Sequence, residues 1–190
     1  MDRFEKHYME TCNTVLQELE QALKSLNIKN LEKLLFEMRA ADKVFFVGVG
    51  RVMLALESVA KRFAHLGIET HCVGEITEPA ITDKDLLIIG SGSGTSLFPL
   101  AIGRKAKKFG ARIIHIGSNP NSEMKEIADF QVRIPVRTKC FLKDEIDSKQ
   151  PMTTLFEQSV LLMGDIAAKM IIEDKQLDME ELWRYHANLE

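Results

Sequence analysis

The sequence has little cysteine, no excess of basic residues and no long apolar segment, and each of these absences excludes a class of protein. Its three cysteines, Cys12, Cys72 and Cys140, are scattered and odd in number, so they form neither a disulfide framework nor a metal-binding spacing. A formal net charge of −3 gives no electrostatic footprint for nucleic acid. The longest apolar runs are too short to span a bilayer, and the first residues form no signal segment. We therefore expect a cytoplasmic protein that binds neither nucleic acid nor membrane.

What is present suffices for one globular domain. The chain has 190 residues, of which 45% are hydrophobic and 28% charged, a composition typical of globular proteins with a sizeable core. It contains no internal repeat, low-complexity tract or domain linker. We expect a single domain over residues 1–190, in which helices at residues 1–40 and 153–190 pack on an α/β core at residues 43–135.

Through the core, short apolar segments alternate with helical patterns. Strands are predicted at residues 44–47, 70–73, 85–89, 112–116 and 130–134. Helices are predicted over the first forty residues, with a second one starting near residue 31, and at residues 53–66 (ended by Gly67), 153–173 and 179–189. Repeated βα units with fully apolar strands indicate a parallel sheet covered on both faces. The predicted fold class is therefore α/β, a three-layer sandwich with a five-stranded parallel sheet flanked by helices.

One loop of this pattern consists only of Gly, Ser and Thr. It covers residues 90–96, between an apolar strand and a helical pattern that begins at Leu97. Such a loop brings backbone N–H groups and hydroxyls to the positive end of a helix, where they suit a phosphate. No lysine follows at the spacing of a nucleotide-binding P-loop. From this loop alone, a phosphate site and a turn without a ligand are equally supported.

Ligands of open parallel sheets bind at the carboxyl ends of the strands, and two charged residues are predicted to lie there. Arg51 follows the first strand and suits bidentate binding of a phosphate or pairing with a neighbouring subunit. Glu75 follows the second strand and suits either contact with the hydroxyls of a ligand or an ordinary surface position. The polar residues 135–151 are predicted to form a surface loop, either a lid or a mobile connection. His115 is expected to be buried within its strand.

Four parts of the chain carry recognisable motifs. They are Arg-Phe-Ala-His-Leu-Gly at residues 62–67, Val-Gly-Glu-Ile-Thr-Glu-Pro-Ala-Ile at 73–81, Gly-Ser-Gly-Ser-Gly at 90–94, and a tail with Gln-Pro-Met-Thr-Thr-Leu-Phe-Glu-Gln at 150–158 and His-Ala-Asn-Leu-Glu at 186–190. With these motifs the chain resembles the sugar isomerase (SIS) domain family, and within it the 6-phospho-3-hexuloisomerases. The resemblance covers nearly the whole chain. It implies a cytoplasmic homotetramer or homodimer that interconverts 3-hexulose 6-phosphate and fructose 6-phosphate through an enediolate, without a metal or organic cofactor.

The resemblance also implies roles for individual residues. The phosphate of the hexose would bind Ser91, Gly92, Ser93 and Ser96. Glu157 would be the base that moves a proton between carbons, and His186 a proton-transfer partner in the site of its own or a neighbouring subunit. Without the resemblance, Glu157 is a carboxylate that favours the first turns of a helix, and His186 is a solvated residue.

Three residues depart from the pattern of the family. Val52 and Met53 stand where family members have Ser-Gly, which removes a hydroxyl and adds bulk beside the phosphate. Tyr185 stands where the family has Arg before the histidine, and it carries no positive charge at neutral pH. Two other functions therefore stay open: a non-catalytic phosphosugar-binding or regulatory SIS protein, and an isomerase of another phosphosugar.

Overall fold

A computed structural model describes residues 2–189. The elements are α1 (Arg3–Lys24), α2 (Ile28–Ala40), β1 (Val44–Val47), α3 (Arg51–Ala64), β2 (Thr70–Cys72), β3 (Leu86–Gly90), α4 (Leu97–Lys108), β4 (Arg112–Gly117), β5 (Phe130–Arg133) and α5 (Thr154–Asp174), with short 3-10 helices at Glu123–Glu126 and Glu181–Tyr185. None of the helices within these residues is long and apolar enough to cross a membrane.

All five strands are parallel, and they lie in the order β2-β1-β3-β4-β5. This confirms the predicted sheet, and no strand end differs from its predicted position by more than one residue. The chain runs from β1 outward to β2 and then returns to β3 on the other side of β1. The strand order therefore reverses between β1 and β3, and at such a reversal a crevice forms outside the carboxyl ends of the strands.

Side chains of the strands alternate between the two faces of the sheet and form two cores. On one face, Val44 and Phe46 of β1 pack with α1, α2, α3 and α5. On the other face, Phe45 and Val47 pack with α4. All four side chains are at most 1% exposed, and burial of each such side chain contributes about 1.5–3 kcal/mol to folding. The predicted three-layer sandwich is thereby confirmed.

Several helix boundaries differ from the predicted ones. The second helix begins at Ile28 because the side chain of Asn27 caps it, accepting hydrogen bonds from the N–H groups of Lys29 and Asn30. The third begins at Arg51, directly after Gly50, whose φ is +57°. It ends at Ala64, three residues before Gly67, which has a φ of +79° in the following turn.

The predicted terminal helix at residues 179–189 is wrong. The structure forms only a 3-10 helix at Glu181–Tyr185 in this region. Met179 and Trp183, two large apolar residues of this segment, are 65% and 68% exposed. A short helix without a buried face is marginal in water, because packing supplies most of the stability of a helix in a protein.

At the amino-terminal end of the sheet, polar groups are paired with each other. Asp85 is fully buried, and it accepts hydrogen bonds from the N–H and the hydroxyl of Thr82 and from the N–H of Lys43. The ammonium of Lys43 lies 3.1 Å from the same carboxylate. Burial acts to raise the pKa of Asp85, but these donors outweigh it and hold the pKa below its usual value.

Candidate active site

A cleft of about 920 Å³ opens at the carboxyl end of the sheet, beside the reversal of strand order. Its walls come from four segments: the loops after β1 and β3, the turn at residues 137–141, and residues 150–157 at the start of α5. The predicted site residues that line it are Arg51, Ser91, Gly92, Ser93, Ser96 and Glu157. The structure thus brings six of the eight predicted site residues to one cavity, and Glu75 and His186 lie elsewhere.

The Gly/Ser/Thr loop is ordered by its own hydroxyls. Ser91 Oγ lies 3.1 Å from Ser96 Oγ and accepts a hydrogen bond from the N–H of Gly94. Gly94 has a φ of +67°, which strains any residue with a side chain. Ser96 precedes α4, and its hydroxyl caps no N–H of that helix. The first N–H groups of α4 therefore remain available to an anion beside fixed hydroxyls.

His115 of β4 supports this loop from beneath. It is 2% exposed, and its Nε2 lies 2.8 Å from the backbone oxygen of Ser91. Burial lowers the pKa of His115 to about 4, so the ring is neutral and its Nε2–H donates to that oxygen. A Cβ on Gly117 would lie 2.3 Å from the ring, so this contact requires glycine there. The sequence predicts the burial of His115 correctly but does not reveal the contact, which depends on the pairing of β3 with β4.

Glu157 is a buried carboxylate at the cleft, with only 7% of the residue exposed. The hydroxyl of Thr153, the residue before α5, donates to its Oε1 at 2.8 Å. Nε of Arg51, the first residue of α3, donates to its Oε2. These contacts fix the carboxylate where two helices begin, and they join residues that are 106 positions apart in the chain. The terminal nitrogens of Arg51 have no partner among residues 2–189.

The cleft carries more positive than negative charge. Arg51, Arg137 and Lys139 line it together with a single acid, Glu157. Arg137 pairs with Asp147, which lies outside the cleft lining. Arg137 and Lys139 are not among the site residues predicted from the sequence, although basic residues clustered in a polar segment are a signal for an anion site. An anionic ligand would be attracted to this cavity.

Residues 135–151, which were predicted to form a surface loop, form one wall of the cleft, called here the basic wall because it carries Arg137 and Lys139. A carboxylate of α1 holds this wall in place. Glu18 accepts hydrogen bonds from Ser148 Oγ at 2.6 Å, from the N–H of Lys149 at 2.7 Å and from Gln150 Nε2 at 3.1 Å. Burial acts to raise the pKa of Glu18, but the three donors outweigh it and lower the pKa. Since Gln150 lines the cleft, the position of this wall depends on α1.

Glu75 does not line the cleft. Its Oε1 lies 2.7 Å from Nδ1 of His71, and its Oε2 accepts from the N–H of Cys72 at 3.4 Å. Burial acts to lower the pKa of His71, but the carboxylates of Glu75 and Glu69 outweigh it and raise the pKa. Glu75 therefore holds the end of the edge strand β2 and does not face the cleft predicted to bind the sugar.

His186 lies at the far end of α3. Its ring stacks on that of His65, with centroids 5.2 Å apart, and a Cβ on Gly67 would lie 3.1 Å from the hydroxyl of Tyr185. His65 follows the last residue of α3 and Arg51 is its first, so the 14-residue helix separates His186 from the cleft by about 20 Å. Glu190, the last residue of the tail motif, lies outside the described residues.

Of the two departures after β1, only one reaches the cavity. Val52 lines the cleft, and its Cγ1 lies 2.9 Å from the position of a Cβ on Gly90. Met53 is not part of the lining, so its bulk does not fill the cleft. Val52 therefore leaves the cleft without the hydroxyl that the family pattern has at this position. Within residues 2–189, no three His, Cys, Asp or Glu side chains lie close enough together to hold a metal ion.

The five-stranded parallel sheet with helices on both faces is the fold of a known domain family, and the comparisons identify which one. The model of the SIS domain family matches residues 37–162, so the chain belongs to this family. It is 34% identical to a 3-hexulose-6-phosphate isomerase of Bacillus subtilis (strain 168), over 93% of this chain and 95% of that protein. It is 38% identical to the 3-hexulose-6-phosphate isomerase of Mycobacterium gastri, over 78% of this chain and 74% of that protein.

A solved structure extends the likeness to three dimensions. A hypothetical protein of Methanococcus jannaschii, for which a molecular function of 3-hexulose-6-phosphate isomerase was inferred from its crystal structure, superposes with a TM-score of 0.81 at 32% identity. The match covers 95% of this chain and 99% of that one. The likeness therefore includes the helices outside the segment matched by the family model.

Proposed function

We propose that this protein is an isomerase that interconverts 3-hexulose 6-phosphate and fructose 6-phosphate. The observation that carries the proposal is that the buried carboxylate of Glu157 and the Gly/Ser/Thr loop face the same cleft. The positive charge of the cleft suits a phosphate monoester, which is close to a dianion at neutral pH. Relatives that carry the name of this isomerase, at 34% and 38% identity, support the choice of substrate.

The reaction moves a carbonyl from C3 to C2 of the sugar. A base removes the proton from C2, an enediolate forms, and the proton returns to C3. Glu157 performs both transfers, because a single carboxylate can accept and return the proton. Ser91, Gly92, Ser93 and Ser96 hold the phosphate, together with the free nitrogens of Arg51. Phosphate binding at one end of the sugar orients the reacting carbons at the other.

The protein acts as a homo-oligomer, either a tetramer or a dimer, in which His186 serves the cleft of a neighbouring copy. Support comes from its position about 20 Å from the cleft of its own protomer. Exposed apolar residues on helices, such as Phe4 and Tyr8 of α1 and Leu54 of α3, provide surface for contact between copies. We assign the protein to the cytoplasm, a location that suits its three free cysteines.

Proton exchange tests the function directly. Fructose 6-phosphate is incubated with the protein in heavy water and followed by NMR, with Glu157→Gln in parallel. We expect deuterium at C3 and a new ketose phosphate, both lost in the variant. Asp165→Asn is the matched control, because Asp165 also lies on α5 and pairs with an arginine of α3, Arg62, but outside the cleft.

One observation favours a protein that binds phosphosugars without catalysis. Val52 lines the cleft where family members have a serine, so the site lacks one hydroxyl. Shifted protein signals on addition of fructose 6-phosphate, without any exchange or turnover, would overturn the isomerase and support a phosphosugar-binding SIS protein. Exchange with another phosphosugar alone would change the substrate and retain the reaction type.

A further inference from the structure

The turn at residues 138–141 lies directly on the Gly/Ser/Thr loop. Thr138 is 2% exposed, and its Cγ2 lies 3.1 Å from the position that a Cβ on Gly92 would take. The N–H of Phe141 donates to the backbone oxygen of Thr138 at 3.2 Å and closes a β-turn. Lys139 occupies the second position of this turn and lines the cleft.

A carboxylate fixes the backbone of the turn. Glu145 accepts hydrogen bonds from the N–H and the hydroxyl of Thr138, at 3.2 and 2.7 Å, and from the N–H of Leu142 at 3.0 Å. Ser118, which follows β4, donates to the same carboxylate at 3.0 Å. The turn is therefore attached to the sheet, and the exposed side chain of Lys139 is not part of this network.

Lys139 is also the cleft cation that the protein does not neutralise. Arg51 donates to Glu157, and Arg137 pairs with Asp147. The ammonium of Lys139 has no partner among residues 2–189. The loop itself offers only neutral donors, namely hydroxyls and backbone N–H groups, to a ligand of charge close to −2.

We propose that Lys139 supplies the counter-charge for the substrate phosphate bound on residues 91–96. This inference rests on the proposed function, since it assumes a phosphorylated ligand in the cleft. Thr138 of the turn contacts the loop, and the next residue, Lys139, lines the same cleft as residues 91–96. The flexible stem of a lysine lets its ammonium approach the phosphate as a point charge. A lysine from a distant part of the chain would thus take the role that the lysine of a nucleotide-binding loop has within its own motif.

The test compares Lys139→Met, Lys139→Arg and Lys143→Met. Lys143 is the matched control, because it is exposed in the same segment but does not line the cleft. Inorganic phosphate serves as a competitive inhibitor of fructose 6-phosphate turnover. We expect Lys139→Met to raise the inhibition constant of phosphate and KM about 10-fold, with kcat changed less than about twofold. Lys139→Arg retains both values near those of the wild type, as does Lys143→Met.

Ionic strength provides a second readout. The inhibition constant should rise with salt more steeply in the wild type than in Lys139→Met, because the variant has lost the interaction that salt screens. If the two lysine-to-methionine variants have equal constants while the wild type remains an active isomerase, the inference about Lys139 is overturned and the proposed function stands. If the wild type neither turns over the sugar nor binds phosphate, the proposed function fails and the inference fails with it.

Discussion

The two ends of the parallel sheet use charge in opposite ways. At the amino-terminal end, Arg112 bridges Glu37 and Asp129, at 2.7 and 3.2 Å, and Asp85 is satisfied by Thr82 and Lys43. At the carboxyl end, the lining of the cleft contains three cations and one acid, and the loop after β3 leaves hydroxyls and N–H groups beside open space. Polar groups at the first end are paired with each other, whereas several at the second end, among them the ammonium of Lys139, have no partner among residues 2–189.

A cavity alone does not distinguish the two ends. The amino-terminal end also has one, of about 390 Å³, lined by Glu37, Asp42, Asp83, Asp85 and Arg112 among others. Its buried carboxylate and its arginine already have partners within the protein, and its remaining acids would repel an anion. The ligand site is therefore identified by its unpaired hydrogen-bond donors and its excess of positive charge, and not by the volume of the cavity.

The largest expected effect comes from Glu157 at the carboxyl end. Glu157→Gln removes the proposed base and should lower kcat about 10²–10⁴-fold, because an amide cannot accept the proton of the sugar. Steady-state turnover of fructose 6-phosphate measures the loss. Asp165→Asn, which breaks the other arginine–carboxylate pair between α3 and α5, should leave kcat within about twofold. Equal losses in the two variants would mean that the pair acts on folding rather than on chemistry.

The second effect tests whether the cleft is complete within one chain. His186→Asn should lower kcat roughly 10²-fold, as expected for loss of a proton-transfer group. Mixing the His186→Asn and Glu157→Gln proteins under conditions of subunit exchange should restore about a quarter of the wild-type activity, since symmetric sites shared between copies would include intact ones. A mixture no more active than its components would exclude a shared site.

The strands of the sheet and the Gly/Ser/Thr loop of the cleft could be predicted because each is indicated by a continuous stretch of sequence. The apolar run that forms β3 and the small residues that follow it are continuous in sequence, so both the strand and the Gly/Ser/Thr loop are identifiable there. Arg51 and Glu157 were each predicted as site residues, but their hydrogen bond spans 106 positions and has no local signature. The role of each residue could be predicted from the sequence, whereas the hydrogen bond between Arg51 and Glu157 became visible only in the folded structure.

The basic wall escaped prediction for a physical reason. Its position depends partly on a carboxylate outside residues 135–151, because Glu18 of α1 accepts a hydrogen bond from Ser148, 130 positions away in the chain. The hydrophobic periodicity of the sequence contains no information about such a long-range contact. The prediction for the terminal segment was wrong in the opposite way. A helix was expected at residues 179–189, but Trp183 is 68% exposed there and its ring contacts that of His186. Tertiary contacts override weak local patterns in both places.

The third effect belongs to the amino-terminal end. Asp85→Asn leaves the ammonium of Lys43 without its counter-charge and should lower the free energy of unfolding by about 3 kcal/mol, because breaking a buried pair costs more than the pair contributes. Urea denaturation measures this change. KM for fructose 6-phosphate should stay unchanged in protein that remains folded. An increase in KM comparable to that expected for Lys139→Met would contradict the conclusion that the amino-terminal end of the sheet contributes to stability and not to ligand binding.

The last effect is comparable in size only at the acid end of its range and vanishes near neutral pH, and it links the carboxyl end to stability. Burial lowers the pKa of His115 to about 4 in the folded state, against about 6.5 when unfolded. Between these values the unfolded chain binds the additional proton, so stability falls as pH decreases from 6.5 towards 4, by about 3 kcal/mol over the whole interval. His115→Gln, which cannot titrate, should show a flatter profile in denaturation measured at several pH values. Carboxylates with lowered pKa values, such as Asp85 and Glu18, contribute equally to both proteins, so identical slopes would show that His115 is protonated in the folded state.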